Sequence, residues 1–291
     1  MATTFKYCLD NGILGVGWRT DGWRTNSNRN TKKWDEYYNE ASKIHDNLQV
    51  CKYIKERVSE GDLVWTRDEK DYYLARVTSG WEYWMSQEAI DKNIDIANVF
   101  RAIIKKVEID AVPGKVVACF RGTRSIQKIA DDKAIEYSKY LWNKISGEQF
   151  YQIDKSKYSD IFMMLSAEET EDLVFVYLQS MGWYLIPNSR KADTMSYEYL
   201  AVNPKTKRRA QTQVKTGNET ICKDKYVSSD DNEDVFLFQA NGLYTGTSSK
   251  NIICITREEL LNFLSKSLGW FPKSFQTKVE LAGGLSAAQR N

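Results

Sequence analysis

Between residues 166 and 215 the hydrophobic period changes once, and that change limits the fold more than any other feature of the chain. The stretch L-S-A-E-E-T-E-D-L-V-F-V-Y-L-Q-S-M-G has apolar residues at helical spacing. Ser166 stands as its N-cap, Glu169 as the capping-box partner three residues on, and Gly182 as its stop. Alternation with period two then takes over, and strands are expected at 183–186, 197–202 and 210–215. Two more follow at 234–240 and 251–256, before a helix at 257–268. A helix, a run of strands and a closing helix predict an α/β domain with a mixed sheet flanked by helices.

The preceding half differs in composition. Seven of the nine tryptophans lie before residue 150: Trp18, Trp23, Trp34, Trp65, Trp81, Trp84 and Trp142. The spacing predicts a strand at 12–18 and helices at 34–44 and 48–58. A hairpin follows, with strands at 62–67 and 71–77 joined by a charged turn. Further strands are expected at 99–109 and, after Pro113-Gly114, at 115–120. A helical pattern covers 125–144. These elements make a mostly β module with helices at its edges, an α+β unit. The polar stretch 146–159 reads as a linker, so the expected domains are 1–145 and 160–291. No internal repeat is present.

The 291 residues and 42% hydrophobic content suffice for two cores. No apolar run reaches the length of a membrane span, and the N-terminus lacks a signal-peptide pattern, so a cytoplasmic protein is expected. The five cysteines are scattered without a C-x-x-C pair, which predicts reduced thiols rather than a zinc site. The single histidine, His45, argues against histidine-dependent hydrolysis and leaves carboxylates and lysine to carry any catalysis. Net charge is only +2, so a nucleic-acid interface must rest on local patches.

One constellation of this kind surrounds Lys215. In R-A-Q-T-Q-V-K-T-G-N, Gln213 and Lys215 are two apart on a strand and point to one side. Glu198 lies fifteen residues before Gln213, a separation that a hairpin with the loop N-P-K-T-K-R-R spans. On the helix, Glu171 shares a face with Val174 and Leu178, a position where a lone carboxylate is costly. Glu168, Glu169 and Asp172 have easier routes to solvent. The expected cluster is Glu198, Gln213 and Lys215, completed by Glu171, with Asp193 as a second candidate acid. Phosphodiester hydrolysis needs such parts: hard oxygen ligands for magnesium, and a cation that offsets charge in the transition state.

These residues carry a resemblance. The second half resembles the PD-(D/E)xK nuclease superfamily, in its Mrr-like restriction endonuclease branch. The helix motif E-x-L-V stands at Glu171-Asp172-Leu173-Val174, and the hallmark Q-x-K at Gln213-Val214-Lys215. A downstream segment is similar too, in Leu237-Phe238 and Gly242-Leu243-Tyr244. The branch's G-G-x-D is missing, and K-A-D-T-M-S-Y-E stands in its place, so the metal-binding acid is Asp193 or Glu198, with Glu198 preferred for its strand position. The resemblance implies an endodeoxyribonuclease using Mg2+, or Mn2+ in its stead, held by Glu198 or Asp193 with the Val214 carbonyl. Glu171, Gln213 and Lys215 complete the implied catalytic set.

The first half, through G-D-L-V-W-T-R, Y-Y-L-A-R-V and W-E-Y-W, resembles a PUA-like β-barrel of the EVE/YTH kind. That resemblance implies a modified base flipped against aromatic walls, for which Trp18, Trp23, Trp65, Trp81 and Trp84 are the candidates. Trp23 lies in a polar loop among Arg19, Arg24 and Arg29. Arg19 and Arg24, with Lys207, Arg208 and Arg209 at the hairpin turn, are candidates for the phosphate backbone. Together the halves imply a modification-dependent, type IV-like restriction enzyme acting on double-stranded DNA and reading a modified cytosine. Cutting both strands calls for two copies, most simply a symmetric homodimer. Two alternatives stand beside this reading: a defence nuclease whose first half senses a nucleotide or RNA, and a nucleic-acid-binding protein with a degenerate nuclease fold.

Overall fold

The computed structural model describes residues 3–20, 30–122, 124–189, 197–226 and 230–285. The chain divides into two units, Met1–Ile153 and Asp154–Asn291. The boundary falls inside the expected linker, but its first residues belong to the first unit. There the Tyr151 hydroxyl donates to the Gly61 carbonyl at 2.5 Å, and the Arg76 guanidinium lies 4.0 Å above the Phe150 ring.

In the first unit α1 (Thr3–Asn11) leads into β1 (Ile13–Val16), and α2 (Trp34–Ala41) and α3 (Gln49–Arg57) follow. The hairpin is β2 (Leu63–Asp68) and β3 (Asp71–Val77). Next come β4 (Glu82–Tyr83), α4 (Gln87–Asp91) and the long β5 (Asn98–Val107). Two helices, α5 (Gly114–Cys119) and α6 (Asp132–Ser146), end the unit. The sheet is antiparallel, in the order β1-β5-β3-β2, with β4 also on β5. Each half of β5 serves a different partner: Asn98–Arg101 pairs with β1, and Ala102–Val107 with β3. This offset curls the sheet into a half-barrel and gives an α+β unit.

The G-I-L-G-V-G-W run explains the closeness of β1 to β5. Gly15 pairs with Val99, and a Cβ at Gly15 would stand 2.2 Å from the Asn98 carbonyl oxygen. Only a residue without a side chain fits there.

Two expectations fail in this unit. Residues 115–120 form α5 rather than a strand. Pro113 takes the N-cap position with φ −62° and ψ 142°, and Val116 turns into the core. Proline fixes the entry angle and needs no N–H at a helix start, so Pro113-Gly114 opens a helix instead of a turn between strands. The helix expected at 125–144 begins later, where the Asp131 side chain accepts from the Ala134 amide at 2.8 Å. Helix α1 has no counterpart in the sequence reading.

The second unit follows its expected order. Helices α7 (Ile161–Met164) and α8 (Ala167–Ser180) precede β6 (Tyr184–Leu185), β7 (Tyr199–Asn203) and β8 (Arg208–Lys215). Then come β9 (Ile221–Cys222), β10 (Glu233–Gln239), β11 (Tyr244–Thr245), β12 (Ile252–Cys254), α9 (Arg257–Ser267) and α10 (Lys273–Leu281). The sheet order is β12-β10-β8-β7-β6; β10 runs parallel to β8 and β12, whereas β6, β7 and β8 are antiparallel. The capping box of Ser166 and Glu169 forms as expected. Among the described residues, no helix is long and apolar enough to cross a membrane.

The two faces of this mixed sheet have different covers. Phe175 of α8 meets Tyr199 with ring centroids 5.6 Å apart, and Phe162 of α7 meets Phe238 at 5.3 Å. Helix α9 joins them through Tyr177 and Phe263. Tyr199 and Phe238 pair with Thr212 and Val214, so these helices cover the Thr212–Val214 face. The opposite face carries Val235, Leu237 and Ile252, and Ile221, Tyr226 and Tyr244 from the β9–β11 segment cover it.

Candidate active site

Alternation along β8 places Gln213 and Lys215 on the face away from α8, beside Leu237 and Gln239 of β10. Just before β7, the Glu198 amide donates to the Thr212 carbonyl at 2.7 Å, one residue off the β7–β8 register, in which Thr212 pairs with Tyr199. This main-chain bond holds Glu198 against β8, and the Gln213 Nε2 donates to the Glu198 carboxylate at 2.7 Å. Gln213 is 4% exposed and Glu198 half-buried, so the carboxylate sits at the rim of the sheet with its direction fixed by a buried amide.

Lys215 lies two residues further along the same face. Its Nζ is 3.0 Å from a carboxylate oxygen of Glu219, with side chains 29% and 63% exposed respectively. Burial works against the Lys215 ammonium. The hydrogen bond and charge of Glu219 outweigh it, with help from the charges of Glu198 and Tyr226, and the pKa lies above the ordinary lysine value. Lys215 is therefore a cation at neutral pH, suited to offsetting negative charge rather than to removing a proton. Tyr226 belongs to the same neighbourhood. Its pKa is raised, first by burial and then by Glu219 and Glu198, while Lys215 pulls the other way.

Of the expected set, Glu198, Gln213 and Lys215 come together; Glu171 stands on α8. It lies one turn before Phe175 on α8, and α8 covers the Thr212 side of the sheet. Glu169, expected to face solvent, has a structural role: both its carboxylate oxygens lie 2.6 Å from Nζ of the buried Lys278. Asp193 lies outside the described residues. Among the described residues, no three of His, Cys, Asp and Glu gather to hold a metal ion. The oxygens on the Lys215 side include the Glu198 and Glu219 carboxylates and the Val214 main-chain carbonyl, which accepts from the Gln213 side-chain amide at 3.5 Å. All are hard donors, the type that magnesium takes.

The hairpin cations divide. Arg208 is committed to Asp234 by two bonds, of 2.8 and 2.6 Å, and to the Asp231 carbonyl at 3.0 Å. It is a structural arginine here, not a free hand for phosphate. Lys207 and Arg209 are exposed, and Lys207 takes the turn with φ +58°.

Three residues near Lys215 escaped the sequence reading: Glu219, Tyr226 and Gln239. Gln239 pairs with Lys215 in the parallel register and is 1% exposed. A glutamine ending the buried run D-V-F-L-F-Q was the available signal.

In the first unit the tryptophans are mostly packed. Trp81 is 5% exposed, donates from Nε1 to Asn98 at 3.0 Å, and meets Trp34 edge-on at 5.0 Å. Tyr37 fills the space between Trp81 and Tyr83, with centroids 5.5 and 5.1 Å away. Trp81 thus presents no open wall, because its ring and its N–H are both spent on the core. Trp65 is half-buried, with Nε1 bonded to Ser138 at 3.0 Å, and Trp84 packs on Tyr7 at 5.8 Å. Trp18 is half-buried against the same core, with φ +68°. Arg19 is held by Asn93 at 3.1 Å and by Asp95 at 3.5 Å. Trp23, Arg24 and Arg29 lie outside the described residues.

Comparison of the chain with protein-family models, with curated proteins and with solved structures finds no match.

Proposed function

We propose that the second unit is a metal-dependent nuclease of the PD-(D/E)xK type, in the Mrr-like manner, and that the chain cleaves double-stranded DNA. One observation carries this reading: Glu198, Gln213 and the cationic Lys215 occupy one face of the β7–β8 hairpin, with a 2.7 Å bond from Gln213 to Glu198. A carboxylate, an amide and a lysine on one strand pair are the parts that phosphodiester cleavage needs.

Glu198 and the Val214 carbonyl would hold magnesium, with Asp193 as the further acid. Bound there, the metal would supply charge neutralisation and an acidified water. Lys215 offsets charge on the phosphate. The first unit, read as a PUA-like domain, chooses the target, a duplex carrying a modified cytosine. With Trp81 closed into the core, base stacking falls to the other candidates, Trp18, Trp23, Trp65 and Trp84. Two copies would act together, one per strand.

The test is cleavage of supercoiled plasmid, modified and unmodified, with magnesium, manganese, calcium or EDTA. Magnesium and manganese should support nicking or linearisation, and calcium and EDTA should not. Activity that persists in EDTA would remove the metal from the proposal. Cleavage that appears only when a nucleotide or RNA is added, alike on modified and unmodified DNA, would favour the signal-sensing nuclease. Binding without cleavage of any nucleic acid would favour the non-catalytic reading.

A further inference from the structure

The chain leaves β8 at Lys215 and turns through Thr216, Gly217 and Asn218 to Glu219, the residue paired with Lys215. Gly217 has φ +61°, so the turn uses the left-handed region. This turn adjoins the proposed site, and its main chain is held by one buried side chain.

That side chain is Gln239. Its Nε2 donates to the Gly217 and Glu219 carbonyls, each at 2.9 Å. Its Oε1 accepts from the Asn241 amide at 2.6 Å and the Leu243 amide at 2.9 Å. All the polar capacity of a buried amide is thus spent on two main-chain loops, which is the condition for burying it without penalty. Two further bonds lock the same corner. Asn241 Nδ2 donates to the Gly217 carbonyl at 2.8 Å, and the Ala240 amide donates to the Lys215 carbonyl at 2.9 Å. The Gln239 main-chain amide itself donates to the Tyr244 hydroxyl at 2.8 Å.

From this geometry we infer that Gln239 is a positioning residue of the site: it clamps the turn 216–219 and so fixes where Glu219 stands against Lys215. The inference rests on the nuclease reading proposed above. Gln239 has no polar atom left for substrate and acts only through the turn. An apolar residue of the same length would leave the Gly217 and Glu219 carbonyls without this donor and free the turn to move. Misplacement of a catalytic group by about 1 Å costs up to roughly a hundredfold in rate.

The experiment compares the full chain with Gln239→Met and with Asn241→Ala, the second a milder change at an exposed residue. Hydrogen exchange reads the amides of 216–219 and 241–243. Cleavage of plasmid DNA with magnesium reads kcat and KM. The expected result is faster exchange in both segments, with kcat lowered about ten- to a hundredfold in Gln239→Met, less in Asn241→Ala, and KM within about twofold of the parent. Should Gln239→Met fail to fold, Asn241→Ala alone decides by the same two readouts. Faster exchange with unchanged kcat, or unchanged exchange in either folded variant, would overturn the inference. Failure of the parent chain itself to cleave would instead overturn the nuclease reading, and the positioning role would fall with it even if exchange showed the clamp intact.

Discussion

The side-chain amide of Gln213 donates to the carboxylate of Glu198 at 2.7 Å, across a hairpin whose turn runs from Asn203 to Arg208. A buried amide that orients a rim carboxylate does so through one charge-assisted bond, which is among the stronger kinds. Gln213→Ala removes that bond and leaves a small gap beneath Glu198. The expected loss is about 1.5–3 kcal/mol of stability, by urea unfolding, together with a large loss of cleavage. Full activity in a folded Gln213→Ala protein would contradict the role given to this pair.

The Glu169–Lys278 pair makes a contrasting prediction. Lys278 is buried and Glu169 half-buried, both carboxylate oxygens reach Nζ, and Glu169 also closes the Ser166 capping box. Glu169→Ala should cost about 3–5 kcal/mol, because Lys278 loses the carboxylate that compensates its buried charge. Replacing both residues with apolar ones of similar volume should recover much of that loss, as a double-mutant cycle would show. A loss below about 1 kcal/mol on Glu169→Ala would mean that water or another group compensates Lys278.

Gly15→Ala tests the close approach of β1 to β5. The new Cβ meets backbone, the Asn98 carbonyl oxygen at 2.2 Å, and cannot be relieved by moving a flexible side chain. A destabilisation of about 1–3 kcal/mol or more is expected in thermal or urea melts of the chain. A neutral substitution would mean that the two strands can separate without cost.

The tryptophans should now sort into two groups. Trp81→Ala is expected to destabilise the first unit by about 3–5 kcal/mol, since the ring packs on Trp34 and Tyr37 and its N–H satisfies Asn98. Trp23→Ala should weaken binding to a modified duplex about five- to a hundredfold, the value of one stacked base. Equal affinity of the Trp23→Ala protein and its parent for modified DNA, at fixed salt, would remove Trp23 from the reading surface.

The thiols give a further check on packing. Burial pushes the Cys8 thiol up to about 11 and, against the pull of its Tyr37 hydrogen bond, the Cys51 thiol up to about 11 as well. The thiolate is the reactive form, so at neutral pH both should resist a disulfide reagent until the unit unfolds, while the less buried Cys119 and Cys222 react sooner. Rapid modification of Cys8 or Cys51 in the native protein would contradict the packing around α1 and α3.

Much of the second unit was legible because its signals are local. Ser166 and Glu169 announce the start of α8 within one turn, and alternation through 197–215 gives the hairpin that brings Glu198 to Gln213. The side of the sheet taken by α8 was not legible. A helical stripe tells which residues face inward, not which face of the sheet they meet. Gln239 was missed for a related reason: its place beside Lys215 depends on the parallel register of β8 and β10, which no local pattern encodes. Glu219 is only four residues from Lys215, and the turn that brings it back was not legible. In the first unit, Val116 and Val117 suggest a strand at 115–120, and the Pro113 cap overrides that propensity. Trp81 cannot be told from an open wall by sequence, because Asn98 and Trp34, which take up its N–H and its ring, come to it only through the fold.

The most direct measurement is single-turnover cleavage of matched modified and unmodified duplexes by the full chain and by Lys215→Ala, with magnesium present. Lys215 is 29% exposed and paired with the exposed Glu219, so the substitution should change stability by less than about 1 kcal/mol and leave DNA affinity nearly intact. The expected result is cleavage by the parent, faster on modified DNA, and none above background by Lys215→Ala. Comparable cleavage by the folded variant would contradict the central claim that Lys215, beside Glu198 and Gln213, forms the centre of a nuclease site.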